Sequence, residues 1–145
     1  MDLDRTIEGN MPINQVISNK AILQGHSSSN RAAINATATA TAAQVATGYI
    51  TSTSAAGTTI TLPTGTLLGA YLNAEQGTVL ELYVDNTAGS STVTMAVATN
   101  GIVSDAGATT AASFGQLTVA NGATGIGRFT IMFSSATAYV FTRTA

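Results

Sequence analysis

The sequence predicts an all-β fold, a β-sandwich or jelly roll of about seven to eight strands with one short helix, preceded by an extended N-terminal arm. Apolar and polar side chains alternate with a period of two in the stretch 80–97. Turn-forming residues recur at intervals of about ten residues after residue 46. Only one helix candidate is visible there, whereas a parallel α/β fold needs repeated crossover helices.

The composition indicates one domain with an unusual surface. The chain has 145 residues, of which 45% are hydrophobic and 8% are charged, with a net charge of −2. An ordinary soluble domain has about 25% charged residues. Either Thr and Ser hydroxyls keep the surface soluble, or neighbouring subunits in an assembly cover much of it. The scarcity of charge favours the assembly.

Several classes of function are disfavoured by what the sequence lacks. Binding to nucleic acid needs clustered cations, but the five basic residues are scattered, at Arg5, Lys20, Arg31, Arg128 and Arg143. With no cysteine there is neither a disulfide framework nor a thiolate site, which fits folding in a reducing cytoplasm. We expect no signal peptide and no membrane partner, because no apolar run has the required length and character.

Residues 1–45 are predicted to form an arm, and residues 46–145 the β domain. Segment 11–24 has apolar residues at a loose helical spacing, so either a short helix or an extended arm is compatible with it. The Ala/Thr alternation at 36–42 has almost nothing large to bury and cannot offset its ordering entropy alone. The arm is therefore expected to become ordered on a partner.

The β domain begins with two short strands. One is predicted at 48–53, around Tyr49 and Ile50, and the other at 58–62, where Ile60 faces inward. Pro63 ends the second strand because it cannot donate a ladder hydrogen bond.

A short helix is predicted at 66–73. Its large apolar residues fall on one helical face, at Leu67, Leu68, Tyr71 and Leu72. Thr64 or Thr66 can cap the N-terminus, and Gly77 ends the segment. We expect this helix to close one end of the β structure.

The clearest pattern in the chain runs from Gly77 to Val97 and predicts a β-hairpin. Leu82 and Val84 on the first arm, and Val93 and Met95 on the second, are expected to face the core. The intervening segment is small and polar, as a hairpin connection should be.

The C-terminal part supplies the remaining strands. Short strands are predicted at 102–103 and 116–120, and longer ones at 127–134 and 138–143, joined by a tight turn. The inward-facing residues of the strand 127–134 are Phe129, Ile131 and Phe133.

No catalytic motif is present, and we expect no enzyme activity, no cofactor and no metal. His26 is the only histidine and lies beside a serine run that is typical of a linker. Asp85 and Asn86 could contribute to a cation site, but side-chain bonds that cap a turn explain them better. Glu81 and Asp85 would lie about 13 Å apart along a strand, beyond the ~5–9.5 Å used by glycosidases.

Two further patterns carry weaker functional signals. The glycine-rich stretch Gly122–Gly127 precedes a strand rather than a helix, so it lacks the geometry that cradles phosphate. The four tyrosines could form a sugar-stacking surface or sit half-buried in the β domain, and they are Tyr49, Tyr71, Tyr83 and Tyr139.

The arrangement of these patterns resembles a known family. A strand ends in Leu62-Pro63, a Leu-rich helix covers 66–73, and a later strand ends in Val84-Asp85-Asn86-Thr87. A Val/Thr-rich return strand follows at 92–97, and residues 127–143 have the pattern GxFTxxFxSATAYxFxR. Over roughly residues 58–143 the chain resembles the capsid decoration (cement) proteins and related small β-rich structural proteins of tailed bacteriophages.

The resemblance implies a virion structural protein made in the host cytoplasm that binds the major capsid protein on the outer surface of an icosahedral head, commonly as a homotrimer. The arm is then expected to anchor on a capsid or sister subunit through its apolar residues. These partner-contact residues are Ile7, Met11, Ile13, Val16, Ile17, Ile22 and Leu23. The alternative is a tail-fibre or receptor-binding β module that recognises host-surface glycans through the loop 101–115 and exposed tyrosines.

Overall fold

The computed structural model describes residues 31–104 and 117–145, which form ten strands and two α-helices. A short 3-10 helix at Gly122–Thr124 lies between β8 and β9. In chain order the elements are β1 (Ala32–Ala33), β2 (Ala38–Thr39), α1 (Ala42–Ala46), β3 (Tyr49–Thr51), β4 (Thr58–Thr61), α2 (Gly65–Leu72), β5 (Val79–Asp85), β6 (Val93–Ala96), β7 (Gly101–Val103), β8 (Thr118–Val119), β9 (Ile126–Ser135) and β10 (Ala138–Arg143).

The strands form two sheets that share one buried core. The first sheet has the order β1-β3-β5-β9-β10-β7, and the second has the order β2-β4-β6-β8. β9 is antiparallel to β5 and β10, and β6 is antiparallel to β8, while every other neighbouring pair is parallel. From β1 to β8 successive strands alternate between the sheets.

The predicted all-β sandwich or jelly roll was wrong. The described residues form a mixed α/β structure, with parallel and antiparallel pairs in both sheets and an unpredicted second helix, α1. A period of two shows which side chains face a core, but it carries no information on the direction of the neighbouring strand. α1 begins at a capping box in which the Thr41 hydroxyl accepts from the Gln44 amide, and Gln44 Oε1 accepts from the Thr41 amide.

The predicted hairpin at 77–97 was also wrong. Its alternation is correct, because Leu82, Val84, Val93 and Met95 are all buried. Its two arms nevertheless lie in different sheets, as β5 and β6. Both arms point large side chains into the same core from opposite sides, so they produce the same pattern as a hairpin would.

The described part of the predicted arm, residues 31–45, belongs to the same compact unit as the β domain. β1 and β2 add to the sheets through main-chain bonds, including those from Ile34 N to Thr51 O (2.9 Å) and from Ala40 N to Thr61 O (2.8 Å). Ile34, Ala40 and Val45 are buried in the core. A segment poor in large side chains can therefore be ordered by an existing sheet edge.

The predicted pairing of the last two strands is confirmed. β9 and β10 are antiparallel, and Phe129, Ile131 and Phe133 on β9 are buried. Phe129 stacks on Phe141 with ring centroids 4.9 Å apart, and Phe133 meets Tyr139 edge-on at 5.9 Å. Such pairs stabilise by about 0.5–1.5 kcal/mol beyond their burial.

Candidate interaction surface

Two glycines determine how α2 sits on the protein. Gly65 and Gly69, four residues apart, pack on the turn between β9 and β10. A methyl group at Gly69 would overlap the carbonyl oxygen of Ala136, and one at Gly65 would overlap that of Thr137. Only a helix face without Cβ atoms can approach the backbone this closely.

This approach rotates part of the apolar set of α2 outward. Leu68 is fully buried and Leu72 is half-buried, but Leu67 and Tyr71 are 62% and 59% exposed. The predicted helix and its Thr64 cap are confirmed, with the Leu67 amide donating to Thr64 Oγ1 at 3.2 Å. The four large apolar residues lie on one side of the helix as predicted, but only the edge with Leu68 and Leu72 faces the core. The glycine pair, which the apolar spacing does not take into account, decides which edge is buried.

Leu67 and Tyr71 border an apolar groove of about 640 Å³. None of its lining residues is charged. They come from α2, from the segment before it, from the chain between β2 and α1 with its flanking residues, and from the β6–β7 connection. They are Thr39, Ala40, Thr41, Ala42, Pro63, Thr64, Leu67, Ala70, Tyr71 and Ala98. We call this surface the α2 groove.

Three polar groups at the α2 groove already have partners within the chain. The hydroxyl groups of Thr41 and Thr64 accept from main-chain amides at the starts of the two helices. The Pro63 carbonyl accepts from the Tyr139 hydroxyl at 2.9 Å, and burial raises the pKa of Tyr139 to about 12, so the phenol remains a donor. An occupant of the groove would therefore gain mainly by burying apolar surface.

A second apolar surface crosses the outer face of the first sheet. Strand register places Val79 beside Met132, Met132 beside Val140, and Val140 beside Ile102. Val79, Met132 and Ile102 are 55%, 48% and 61% exposed, respectively, and Val140 is half-buried. We call these four residues the sheet row.

Charged groups on β5 and β9 of the first sheet are paired with each other or with hydroxyls. Arg128 Nε lies 3.7 Å from Glu81 Oε1, and both side chains are largely exposed. Asp85 accepts from the Tyr49 hydroxyl at 2.5 Å and from the Thr87 hydroxyl and amide at 2.7 and 2.9 Å. Desolvation acts to raise the pKa of Asp85, but these hydrogen bonds together outweigh it and lower the pKa.

Other predicted site residues are dispersed. Tyr139 is buried, Tyr71 lies on α2, and Tyr49 and Tyr83 are neighbours on the first sheet, so the tyrosines do not form one surface. Asp85 caps its turn as predicted, since it binds the Thr87 amide. The proposed arm contacts and His26 lie outside the described residues; the arm contacts are Ile7, Met11, Ile13, Val16, Ile17, Ile22 and Leu23.

Residues 31–104 and 117–145 contain no cluster of three His, Asp or Glu side chains that could hold a metal ion. In the same ranges no helix is both long and apolar enough to cross a membrane. A scan against protein-family models, a search of curated proteins and a search of solved structures each found no match to this chain.

Proposed function

We propose that this protein is a virion structural protein: a decoration, or cement, protein that binds the outer surface of an icosahedral phage head and stabilises it as a homotrimer. The observation that carries the proposal is the α2 groove, an uncharged surface bordered by two large exposed apolar side chains. The resemblance of residues 58–143 to decoration proteins supports the same conclusion.

The chemistry of the α2 groove defines the contact that it would make. The groove offers apolar atoms and few open hydrogen-bonding groups, and no lining residue carries a charge. Its occupant is an uncharged apolar segment of the major capsid protein, because burying an unpaired charge there would cost several kcal/mol. Tyr71 is the residue best placed to act as a hot spot, because tyrosine is enriched among the residues that dominate binding energy. Leu67 adds exposed apolar area beside it.

The test adds purified protein to undecorated capsids and measures both bound protein and heat resistance of the particles. We expect the wild type to bind and to raise the temperature at which the capsids fall apart. The double variant Leu67→Ser/Tyr71→Ser should bind at least about tenfold more weakly, since loss of a hot-spot residue costs about 2 kcal/mol or more and 1.4 kcal/mol is tenfold in affinity.

A matched control uses two exposed apolar residues of the sheet row. Ile102→Ser/Met132→Ser removes comparable apolar surface elsewhere on the molecule and should leave capsid binding unchanged. If the control loses binding and the α2-groove variant keeps it, the contact surface is misassigned. If the wild type binds no capsid, the proposed function itself is wrong.

The arm adds a second contact in this proposal. Replacing Ile13 and Ile17 with serine in the full chain should weaken capsid binding further, because both are among the apolar residues assigned to partner contact. Undiminished capsid binding would show that the arm does not contribute to the contact.

Two further measurements test the rest of the proposal. Light scattering on the free protein would test the trimer. Binding to a glycan array without binding to capsids would favour the receptor-binding alternative.

A further inference from the structure

The chain contains two Asn-Gly pairs, Asn100-Gly101 and Asn121-Gly122, in different structural settings. Glycine has no side chain to hinder attack by its own amide nitrogen on the preceding side chain. We propose that Asn121 is a site of spontaneous deamidation in the native protein and that the fold suppresses the same reaction at Asn100.

The reaction needs only solvent. The Gly122 main-chain nitrogen gives its proton to solvent base and attacks Cγ of Asn121, forming a C–N bond and a five-membered succinimide ring. The bond between Cγ and the side-chain nitrogen breaks, and ammonia leaves with a proton taken from solvent. Water then opens the ring at one of its two carbonyl carbons, which gives aspartate or isoaspartate.

At Asn100 the main chain is held on both sides of the reacting bond. The Gly101 amide donates to Ala98 O at 3.0 Å, and the Asn100 carbonyl accepts from the Tyr139 amide at 3.0 Å. Gly101 also packs so closely on Tyr139 that an added Cβ would lie 2.6 Å from the ring. The nucleophilic nitrogen is therefore occupied, and ring closure would have to break a hydrogen bond and move a packed segment.

At Asn121 the nucleophilic nitrogen is not restrained in these ways, and an added Cβ at Gly122 would meet nothing within 4 Å. Within the described residues, the Gly122 amide has no hydrogen-bond acceptor. The Asn121 side chain is exposed and makes no capping bond to the 3-10 helix that follows it. Gly122 has a φ of +74°, a conformation that glycine adopts without strain. Attack by the Gly122 nitrogen therefore breaks no hydrogen bond donated by that nitrogen.

The product would alter a structurally important loop. Deamidation adds a carboxylate to a surface with few charges, and isoaspartate lengthens the main chain by one methylene group. That extra methylene would fall between Ala120 and Gly125, whose carbonyl oxygens accept hydrogen bonds from the Asn86 side chain and main chain. Aged protein should therefore lose stability as isoaspartate accumulates.

The test incubates the full-length protein in mildly alkaline buffer and follows both sites by peptide mapping and isoaspartate-specific enzymatic methylation. In the native protein Asn121 should react roughly tenfold faster than Asn100. This factor is at the upper end of what breaking one hydrogen bond costs, because a packed segment must move as well. In concentrated urea the two sites should react at similar rates, because both then lie in unfolded Asn-Gly pairs.

Two variants complete the design. Asn121→Gln removes the five-membered route and should abolish the main product of the native protein, while Asn100→Gln should leave that product unchanged. Equal rates at the two sites in the native protein would overturn the proposal. So would an unmodified Asn121 after an incubation that fully converts the urea-unfolded sample.

Discussion

Replacing Asn86 with alanine should lower the free energy of unfolding by about 3 kcal/mol, because this one buried amide ties together segments that belong to different sheets. Asn86 follows the last residue of β5 and is fully buried. Its Nδ2 donates to the carbonyl oxygens of Ser91 and Ala120, both at 2.8 Å, and to that of Val119 at 3.3 Å. Its main-chain amide donates to Gly125 O at 2.6 Å.

The magnitude follows from the groups left without a donor. An unsatisfied buried polar group costs about 1–3 kcal/mol. Two of the three acceptor carbonyls lie in partly buried surroundings where water can replace the lost bond, and the third, that of Val119, loses only a long bond of 3.3 Å. The low end of the range, about 1 kcal/mol, therefore applies to each, and the sum is about 3 kcal/mol. Domains of this size are stable by only about 5–15 kcal/mol, so the loss is large.

Asn86→Asp separates hydrogen bonding from packing. An ionised carboxylate has no donor and would face the same carbonyl oxygens in a buried site, so its folded-state pKa should be raised above the unfolded value of about 3.9. The loss of folding stability caused by the charge is then absent below the unfolded pKa. It grows as the pH rises above that value and is complete once the pH has passed the folded pKa. Asn86→Asp should be less stable than Asn86→Ala at neutral pH and should recover relative to it in acid.

The assay is urea unfolding followed by far-UV circular dichroism, since the chain has no tryptophan. Asn35→Ala is the matched control, because the exposed Asn35 side chain accepts only from the Thr53 amide at 2.9 Å and should cost less than about 1 kcal/mol. A change at Asn86 no larger than that of the control would refute the bridging role. If the difference in unfolding free energy between Asn86→Asp and Asn86→Ala does not change with pH, the predicted effect of a buried charge at position 86 is refuted.

Two further predictions concern α2 and the acid response. Gly69→Ala should destabilise the fold by about 1–3 kcal/mol despite alanine's better helix propensity, because the added methyl group meets the Ala136 carbonyl. Gly57→Ala is the control and should be neutral, because the space around Gly57 is open. Thermal unfolding of the two variants would compare them. Because the folded-state pKa of Asp85 is lowered, its stabilisation is present above the unfolded pKa and is lost as pH falls through the folded value. In Asp85→Asn the free energy of unfolding should therefore fall less steeply as the pH is lowered through the acid range than it does in the wild type. An unchanged acid dependence would contradict the stabilising role of the ionised Asp85.

Local sequence patterns were sufficient to predict an element wherever the residues that stabilise it are close together in the sequence. The β9–β10 pair was predictable because a tight turn joins two alternating runs, and it is present. α2 was predictable for the same reason, since Thr64 lies at the start of its helical spacing and caps it. In both elements the decisive interactions span only a few residues.

What the sequence could not supply was pairing between distant segments. β5 and β6 have the alternation of a hairpin, yet their neighbours on the parallel side are β3 and β4, respectively. The exposure of Leu67 and Tyr71 depends on a contact between Gly69 and the β9–β10 turn, more than sixty residues further along the chain. The candidate site thus depends on a tertiary contact that helical periodicity alone does not encode.

The topology also limits how this protein can associate. In the sheets formed by the described residues, the edge strands are β1 and β7 in one sheet and β2 and β8 in the other, and none exceeds three residues. Short edge strands offer few unpaired main-chain groups and so resist edge-to-edge pairing. Association through side-chain surfaces such as the α2 groove is then favoured over sheet extension. Under the proposed function, the capsid-bound protein should therefore keep the strand pairings of the free protein. Hydrogen exchange of main-chain amides would test this: capsid binding should slow exchange around α2 more than at β7. Equal slowing at both places would argue against association through the α2 groove.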